Sequence, residues 1–119
     1  LSRAMIPLLR KSDDASMIFT SSGVGRQARA YWGAYAVSKF AVEGLAQLLA
    51  DELDDERNNI RVNSLNPGAT RTGMRLLAYP AEDPKKNPDP EQLMPVYLYL
   101  MGRDSKGVNG QQIDAQPKK

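Results

Sequence analysis

The chain has 119 residues, of which 41% are hydrophobic and 25% are charged, so its length allows one domain and its composition is that of a globular protein. It contains no histidine and no cysteine, which excludes a histidine-based triad, a thiol nucleophile, disulfides and zinc fingers, and we expect no metal site. The 16 basic and 14 acidic side chains are interspersed, which argues against nucleic acid as a partner.

We expect neither a membrane span nor a secretion signal. No apolar run approaches the ~20 residues needed to cross a bilayer, and no basic segment precedes an apolar stretch with a cleavage site. A cytoplasmic protein with no membrane partner is therefore expected. The sequence starts with Leu1 and not with methionine, so we also expect further residues upstream.

The first half of the chain predicts a strand between two helices. Residues 2–11 combine apolar side chains with two terminal cations, as at the end of a helix. Residues 17–20 form a short apolar run between turn-forming residues, which predicts a buried strand. A long helical pattern then covers residues 35–57, and Asn58 is expected to stop it.

The leucines of this long helix suggest how it packs. The side that we predict to be buried contains Phe40, Ala41, Leu45, Leu48, Leu49 and Leu53. The side that we predict to be mainly polar contains Lys39, Glu43, Gln47, Ala50 and Asp54.

The second half continues the alternation of strands and helices. Residues 60–65 predict a strand, and a strand, helix and strand in succession form a crossover between parallel strands. Residues 73–89 are rich in proline and predict a long, partly apolar loop. Asp89 and Pro90 are typical of a helix start, with apolar residues at helical spacing up to Gly102. A last strand is expected over residues 111–115, followed by a frayed tail that includes Lys118 and Lys119.

The side chains best suited to proton chemistry are Ser22, Tyr35 and Lys39. Tyr35 and Lys39 are four residues apart on one helix and share a face, so the ammonium can favour the phenolate. A tyrosine near its reference pKa of ~10 is a poor acid-base catalyst at neutral pH, and Lys39 would lower that pKa. Ser22 follows the first strand, at the edge where open parallel sheets bind ligands. On its own, the Tyr-x-x-x-Lys pattern is more often an ordinary tyrosine and a solvated lysine than a catalytic pair.

The order of three motifs resembles a known family. Ser22, the Tyr35-x-x-x-Lys39 motif and the Asn66-Pro67-Gly68 turn, with the four residues that follow it, occur in sequence at the spacing of the short-chain dehydrogenase/reductase superfamily. Residues 19–22, 24–27, 32–35 and 114–117 more specifically resemble the YciK-type oxidoreductases within it. The resemblance covers nearly all of the chain and matches the C-terminal half of the family's domain.

The resemblance implies a fold, a reaction and a site. The fold would be α/β, the C-terminal half of a Rossmann-type doubly wound parallel sheet, with residues 73–89 as the substrate loop. Tyr35 would exchange a proton with a carbonyl or alcohol substrate, Lys39 would lower its pKa, and Ser22 would orient the substrate oxygen. The cofactor would be NAD(P), with NADP slightly favoured over NAD. The implied cofactor-binding residues are Tyr35, Lys39, Pro67, Gly68, Thr70 and Thr72.

The family's dinucleotide-binding half has no counterpart in these residues, so residues 1–119 read as a single partial domain that is inactive alone. Residues 23–28 fit G-x-G-x-x-A, but no amphipathic helix is predicted to start there, so we reject them as a dinucleotide loop. The resemblance further implies a homo-oligomer through the 35–57 helix. The alternative is a truncated, non-catalytic segment that acts only as a packing or oligomerisation unit.

Overall fold

The computed structural model of the chain describes residues 1–57 and 59–117. The helices are α1 (Ser2–Leu9), α2 (Gly33–Glu52), α3 (Gly73–Ala78) and α4 (Pro90–Met101), and the strands are β1 (Ala15–Thr20), β2 (Ile60–Asn66) and β3 (Gln112–Asp114). Single turns of 3-10 helix cover Gly23–Gly25, Pro84–Lys86 and Arg103–Ser105. The predicted helix stop at Asn58 and the predicted fraying of Lys118 and Lys119 lie outside the described residues.

The strands form one parallel sheet in the order β1-β2-β3. Ala15 pairs with Ile60 at the start of β1, and Asn66 pairs with Asp114 at the end of β3. Except for Asn66, every residue of β2 is buried, as expected for a parallel strand with neighbours on both edges and helices on its faces. This sheet confirms the predicted α/β fold and the parallel crossover.

The helices cover both faces of the sheet because side chains alternate along a strand. Met17 and Phe19 pack against the core on the α2 side. Ser16, which precedes Met17 in the strand, points to the other face, where its hydroxyl donates a 2.7 Å hydrogen bond to the carbonyl of Leu100 in α4. Helices on opposite faces of a parallel sheet are the arrangement of a doubly wound fold.

The core between α2 and the sheet is thin. Its buried members are small or aliphatic: Ala15, Ala46, Leu49, Ala50, Leu53, Ile60 and Val62. The chain exposes 8191 Å² of accessible surface, whereas a monomeric protein of this mass exposes about 6,400 Å². The chain therefore exposes more surface than is usual for a monomeric protein of its mass.

The packing predicted for α2 is wrong in part. Glu43 and Ala50, predicted on the polar side, are buried against the sheet, while Leu45 and Leu48, predicted in the core, are exposed. Alanines on the buried face let the helix approach the sheet closely, and Glu43 finds polar partners there. The outer leucines lie on the face that points away from the sheet.

Several predicted boundaries also shift. Helix α2 starts at Gly33 and ends at Glu52, before the predicted end at Arg57. The predicted loop over residues 73–89 contains α3, because the hydroxyl of Thr72 caps that helix by accepting a hydrogen bond from the Arg75 amide. Helix α4 starts after Asp89 as predicted and continues through Pro95.

Candidate active site

A broad cleft lies at the carboxyl edge of the sheet, beside the ends of β1 and β2. Loops between a strand and the following helix gather at this edge, which is where open α/β sheets bind ligands. The structure brings all of the sequence-predicted site residues to this cleft. They are Ser22, Tyr35, Lys39, Pro67, Gly68, Thr70 and Thr72.

Tyr35 and Lys39 lie in the first turns of α2 and meet over the end of β1. The Nζ atom of Lys39 is 5.7 Å from the centroid of the Tyr35 ring. The same ammonium donates a 3.2 Å hydrogen bond to the carbonyl of Thr20, the last residue of β1. Tyr35 is 36% exposed, so its ring remains open to the cleft while Lys39 links the helix to the sheet.

Ser22 is held at the start of the turn that follows β1. Its backbone is extended, with φ of −154° and ψ of 158°, and its carbonyl accepts a hydrogen bond from the Gly25 amide. Gly25 packs directly on α2, because a Cβ atom there would lie 2.7 Å from the carbonyl oxygen of Lys39. The backbone after Ser22 therefore contacts the helix backbone that carries Lys39.

The loop after β2 forms another wall of the cleft. Gly68 has a φ of 76°, a left-handed conformation that favours glycine. Its amide donates to the side-chain oxygen of Asn66 at 3.0 Å. Gln116, which does not belong to this loop, donates through its side-chain amide to the carbonyls of Pro67 and Ala69 at 2.9 and 2.7 Å. These bonds fix the backbone around Gly68.

Two aromatic residues also line the cleft, although the sequence analysis did not assign them to the site. They are Trp32 and Tyr79. The Trp32 ring centroid lies 5.8 Å from that of Tyr35 and 6.3 Å from that of Tyr79, and Tyr79 lies just beyond the end of α3. The Arg75 guanidinium stacks 3.8 Å from the Tyr79 ring centroid and makes two 2.8 Å bonds to Glu82. These hydrogen bonds to Glu82 raise the pKa of Arg75.

Behind the cleft lies a buried carboxylate, Glu43, one helical turn after Lys39. It accepts hydrogen bonds from Ser64 at 2.7 Å, from Gln112 at 3.0 Å and from Arg26 at 3.3 Å. Burial raises the pKa of Glu43, but the facing hydroxyls of Ser21 and Ser64 and the Arg26 guanidinium together hold it below its ordinary value. The group is therefore a carboxylate at neutral pH.

No α-helix directly follows the rejected dinucleotide motif, residues 23–28. Gly23–Gly25 forms a single 3-10 turn, and α2 begins only at Gly33, so the motif does not open a phosphate-binding helix.

Across residues 1–57 and 59–117, no cluster of three or more acidic side chains is arranged to hold a metal ion. The same residues include no helix with the length and apolar character needed to cross a membrane.

Comparison with known proteins decides the family. The sequence pattern of the short chain dehydrogenases matches residues 1–82. The chain belongs to the short-chain dehydrogenase family. The chain is 57% identical over 117 residues to the oxidoreductase YciK of Escherichia coli K12, an alignment that covers 98% of this chain and 45% of YciK. The predicted resemblance to the family and to its YciK-type members is confirmed.

Solved structures of related dehydrogenases have the same fold. A short chain dehydrogenase from Pseudomonas syringae is 66% identical with a TM-score of 0.93, over 98% of this chain and 47% of that one. A Shigella flexneri relative solved in complex with NADP is 57% identical with a TM-score of 0.92, over 98% of this chain and 48% of that one. This chain thus spans about half the length of these relatives.

Proposed function

We propose that this chain carries the catalytic centre of an NAD(P)-dependent oxidoreductase that interconverts a carbonyl and an alcohol. The observation that supports this most strongly is the placement of Lys39 beside the Tyr35 ring, in the cleft that Ser22 also lines. NADP is preferred to NAD, which the NADP complex of the Shigella flexneri relative supports. The protein acts in the cytoplasm on a small molecule.

The roles of the three residues follow from their chemistry. In the reducing direction, Tyr35 donates its phenolic proton to the substrate oxygen as the carbonyl becomes an alcohol, and in the oxidising direction its phenolate accepts that proton. The Lys39 ammonium, 5.7 Å from the centroid of the Tyr35 ring, places a positive charge beside the reacting hydroxyl. Ser22 donates a hydrogen bond that orients the substrate oxygen.

The residues on the sheet edge fit the nicotinamide end of the cofactor. Lys39 and the hydroxyls of Thr70 and Thr72 supply polar groups for a ribose and a phosphate, and the glycine at position 68 leaves the backbone open to close approach. When bound, NAD(P) supplies or accepts the hydride. The described residues contain no matching phosphate-binding helix for the other half of the cofactor, so we expect the isolated 119-residue chain to be inactive.

The test uses the protein expressed from its complete gene. NADPH and NADH are each mixed with a panel of benzaldehyde, acetophenone and cyclohexanone, and NADP and NAD with the corresponding alcohols, while nicotinamide absorbance is followed. We expect turnover of at least one pair, faster with NADPH than with NADH. No turnover in either direction, together with no binding of NADPH, would contradict the proposal.

The second candidate is a non-catalytic unit that only packs or oligomerises, and the outer face of α2 favours it. Val37 is 71% exposed and Leu48 is 54% exposed, and Phe40 and Leu45 lie on the same outward side. Contiguous apolar surface of this kind marks protein contacts. The two candidates are compatible if the enzyme is a homo-oligomer that pairs through α2.

Replacing Leu48 by glutamate is expected to split this oligomer, because a carboxylate would be buried without a partner in the contact. The measurement is the molar mass in solution by light scattering after size exclusion. The wild type should have a multiple of the single-chain mass and the variant the single-chain mass. Gln47→Glu adds the same charge to the same helix and should keep the oligomer. A monomeric wild type, or an L48E variant that stays oligomeric, would rule out α2 as the interface.

A further inference from the structure

Glu43 is the most completely buried charged side chain in the described part of the chain, with 3% of its surface exposed. Placing a carboxylate inside a protein costs several kcal/mol unless hydrogen bonds and an opposite charge compensate it. A stable core would be achieved more simply with an apolar residue at this position. The carboxylate therefore needs an explanation beyond stability.

The partners of Glu43 come from three separate segments of the fold. Its Oε1 atom accepts from Arg26 in the loop that follows Ser22, and its Oε2 atom accepts from Ser64 in β2 and from Gln112 in β3. Both oxygens are used. One carboxylate on α2 thus links that helix to the sheet and to the loop after β1.

Arg26 extends the network to the cofactor loop. Its guanidinium donates to Asp114 at 2.8 Å, and Asp114 accepts a second hydrogen bond from the side chain of Asn66 at 3.0 Å. The other side-chain atom of Asn66 accepts from the amide of Gly68 at 3.0 Å. A continuous chain of hydrogen bonds therefore runs from α2 to the backbone of Gly68.

The network lies so close to the site that a small shift of its residues would also move Ser22 or Lys39. Glu43 is one helical turn after Lys39, and Arg26 follows Gly25, whose Cα approaches the Lys39 backbone so closely that no side chain fits between them. Loss of the bond between Arg26 and Glu43 would free the loop after Ser22 to move relative to Lys39. Displacements of about 1 Å in an active site can reduce turnover about 100-fold.

We propose that Glu43 is a positioning residue: through Arg26, Asp114 and Asn66 it fixes Ser22, Lys39 and the Gly68 loop relative to one another. This inference rests on the proposed oxidoreductase function. Glu43 itself touches neither substrate nor cofactor. Its effect is on the placement of groups that do.

The test compares Glu43→Gln with Glu52→Gln in the protein expressed from its complete gene. Both substitutions remove one carboxylate from α2, but Glu52 is exposed and outside the network. With the panel substrate that the wild type turns over fastest, we expect E43Q to lower kcat per folded molecule at least about tenfold, with KM for NADPH changed less than about threefold. E52Q should match the wild type.

Hydrogen exchange, measured on the protein without cofactor, distinguishes a local positioning role of Glu43 from a contribution to global stability. E43Q should speed exchange at the amides of Gly25 and Gly68, while amides inside β2 keep their protection. Asp114→Asn is the second variant, because its side chain lies at the more exposed end of the network. D114N should speed exchange at Gly68 and lower kcat less than E43Q does.

Two results would overturn the proposal. One is an E43Q variant with wild-type kcat per folded molecule; the other is an equal rise of exchange throughout the protein, which would mean that Glu43 contributes only to global stability. Failure of the proposed function itself looks different, because the wild type would then show no turnover or Tyr35→Phe would leave turnover unchanged.

Discussion

Replacing Tyr35 by phenylalanine is expected to lower kcat by roughly 100- to 10,000-fold, the range that a lost general acid-base group produces. The substitution removes one hydroxyl and keeps the ring, so the contacts with Trp32 and with the Lys39 ammonium remain. Binding of NADPH should change less than about threefold, or about 0.7 kcal/mol. The measurements are steady-state kinetics and a calorimetric titration with NADPH.

Tyr99→Phe is the matched control for this substitution. Tyr99 is also partly exposed, but it lies on α4, away from the cleft. Its variant should keep wild-type kcat and NADPH affinity. If Y35F turns over as fast as Y99F, Tyr35 is not the proton donor and the proposed site is wrong.

Replacing Gly25 by alanine is the second substitution with a large expected effect. The new Cβ atom would lie 2.7 Å from the carbonyl oxygen and 2.8 Å from the carbonyl carbon of Lys39, and these are backbone atoms that cannot rotate away. Overpacking of this kind costs about 1–3 kcal/mol, and the loop after Ser22 must shift away from α2. We expect a lower melting temperature together with a large loss of kcat.

Gly23→Ala provides the control in the same turn. A Cβ atom at position 23 would meet only the side-chain nitrogen of Asn66 at 3.8 Å, an ordinary van der Waals distance. Calorimetric melting should therefore give G23A a melting temperature close to that of the wild type and G25A a clearly lower one. Equal melting temperatures for the two variants would show that the loop after β1 is not packed on the backbone of Lys39.

Local signals predicted most of the helices and strands, whereas the site residues were assigned from the resemblance to the dehydrogenase family. The apolar run before Ser22 and the alternating segment that ends at Asn66 predicted β1 and β2, because buried parallel strands are short and rich in β-branched residues. Since both strands run the same way, the loops after them had to meet at one edge. That geometry placed Ser22, Tyr35 and Gly68 in a common cleft.

Hydrophobicity alone gave only part of the orientation of α2, because Leu49 and Leu53 are buried as predicted but Leu45 and Leu48 are exposed. Large leucines suggest a buried face, but this helix has two apolar faces, and the sheet packs on the one with small residues. Ala36, Ala46 and Ala50 share the face of Glu43, and this stripe of alanines was the signal that could have identified it. The outer leucines are exposed in the described fold, so a helical period alone does not tell which apolar face packs on the sheet.

Contacts between residues that are far apart in the sequence could not be predicted either. Trp32 and Tyr79 lie in different loops, and only the fold of residues 73–89 brings their rings together. The same holds for Arg26 and Asp114, whose bond depends on β3 lying beside β2. Neither pair has a spacing that a local pattern could detect.

A calorimetric titration of NADPH into the protein purified from its own cells tests the central claim most directly, since it requires no knowledge of the substrate. We expect saturable binding of one NADPH per chain, tighter than that of NADH and weakened when Lys39 is replaced by alanine in the recombinant protein. No heat of binding for either nucleotide would contradict the oxidoreductase account and favour the packing unit.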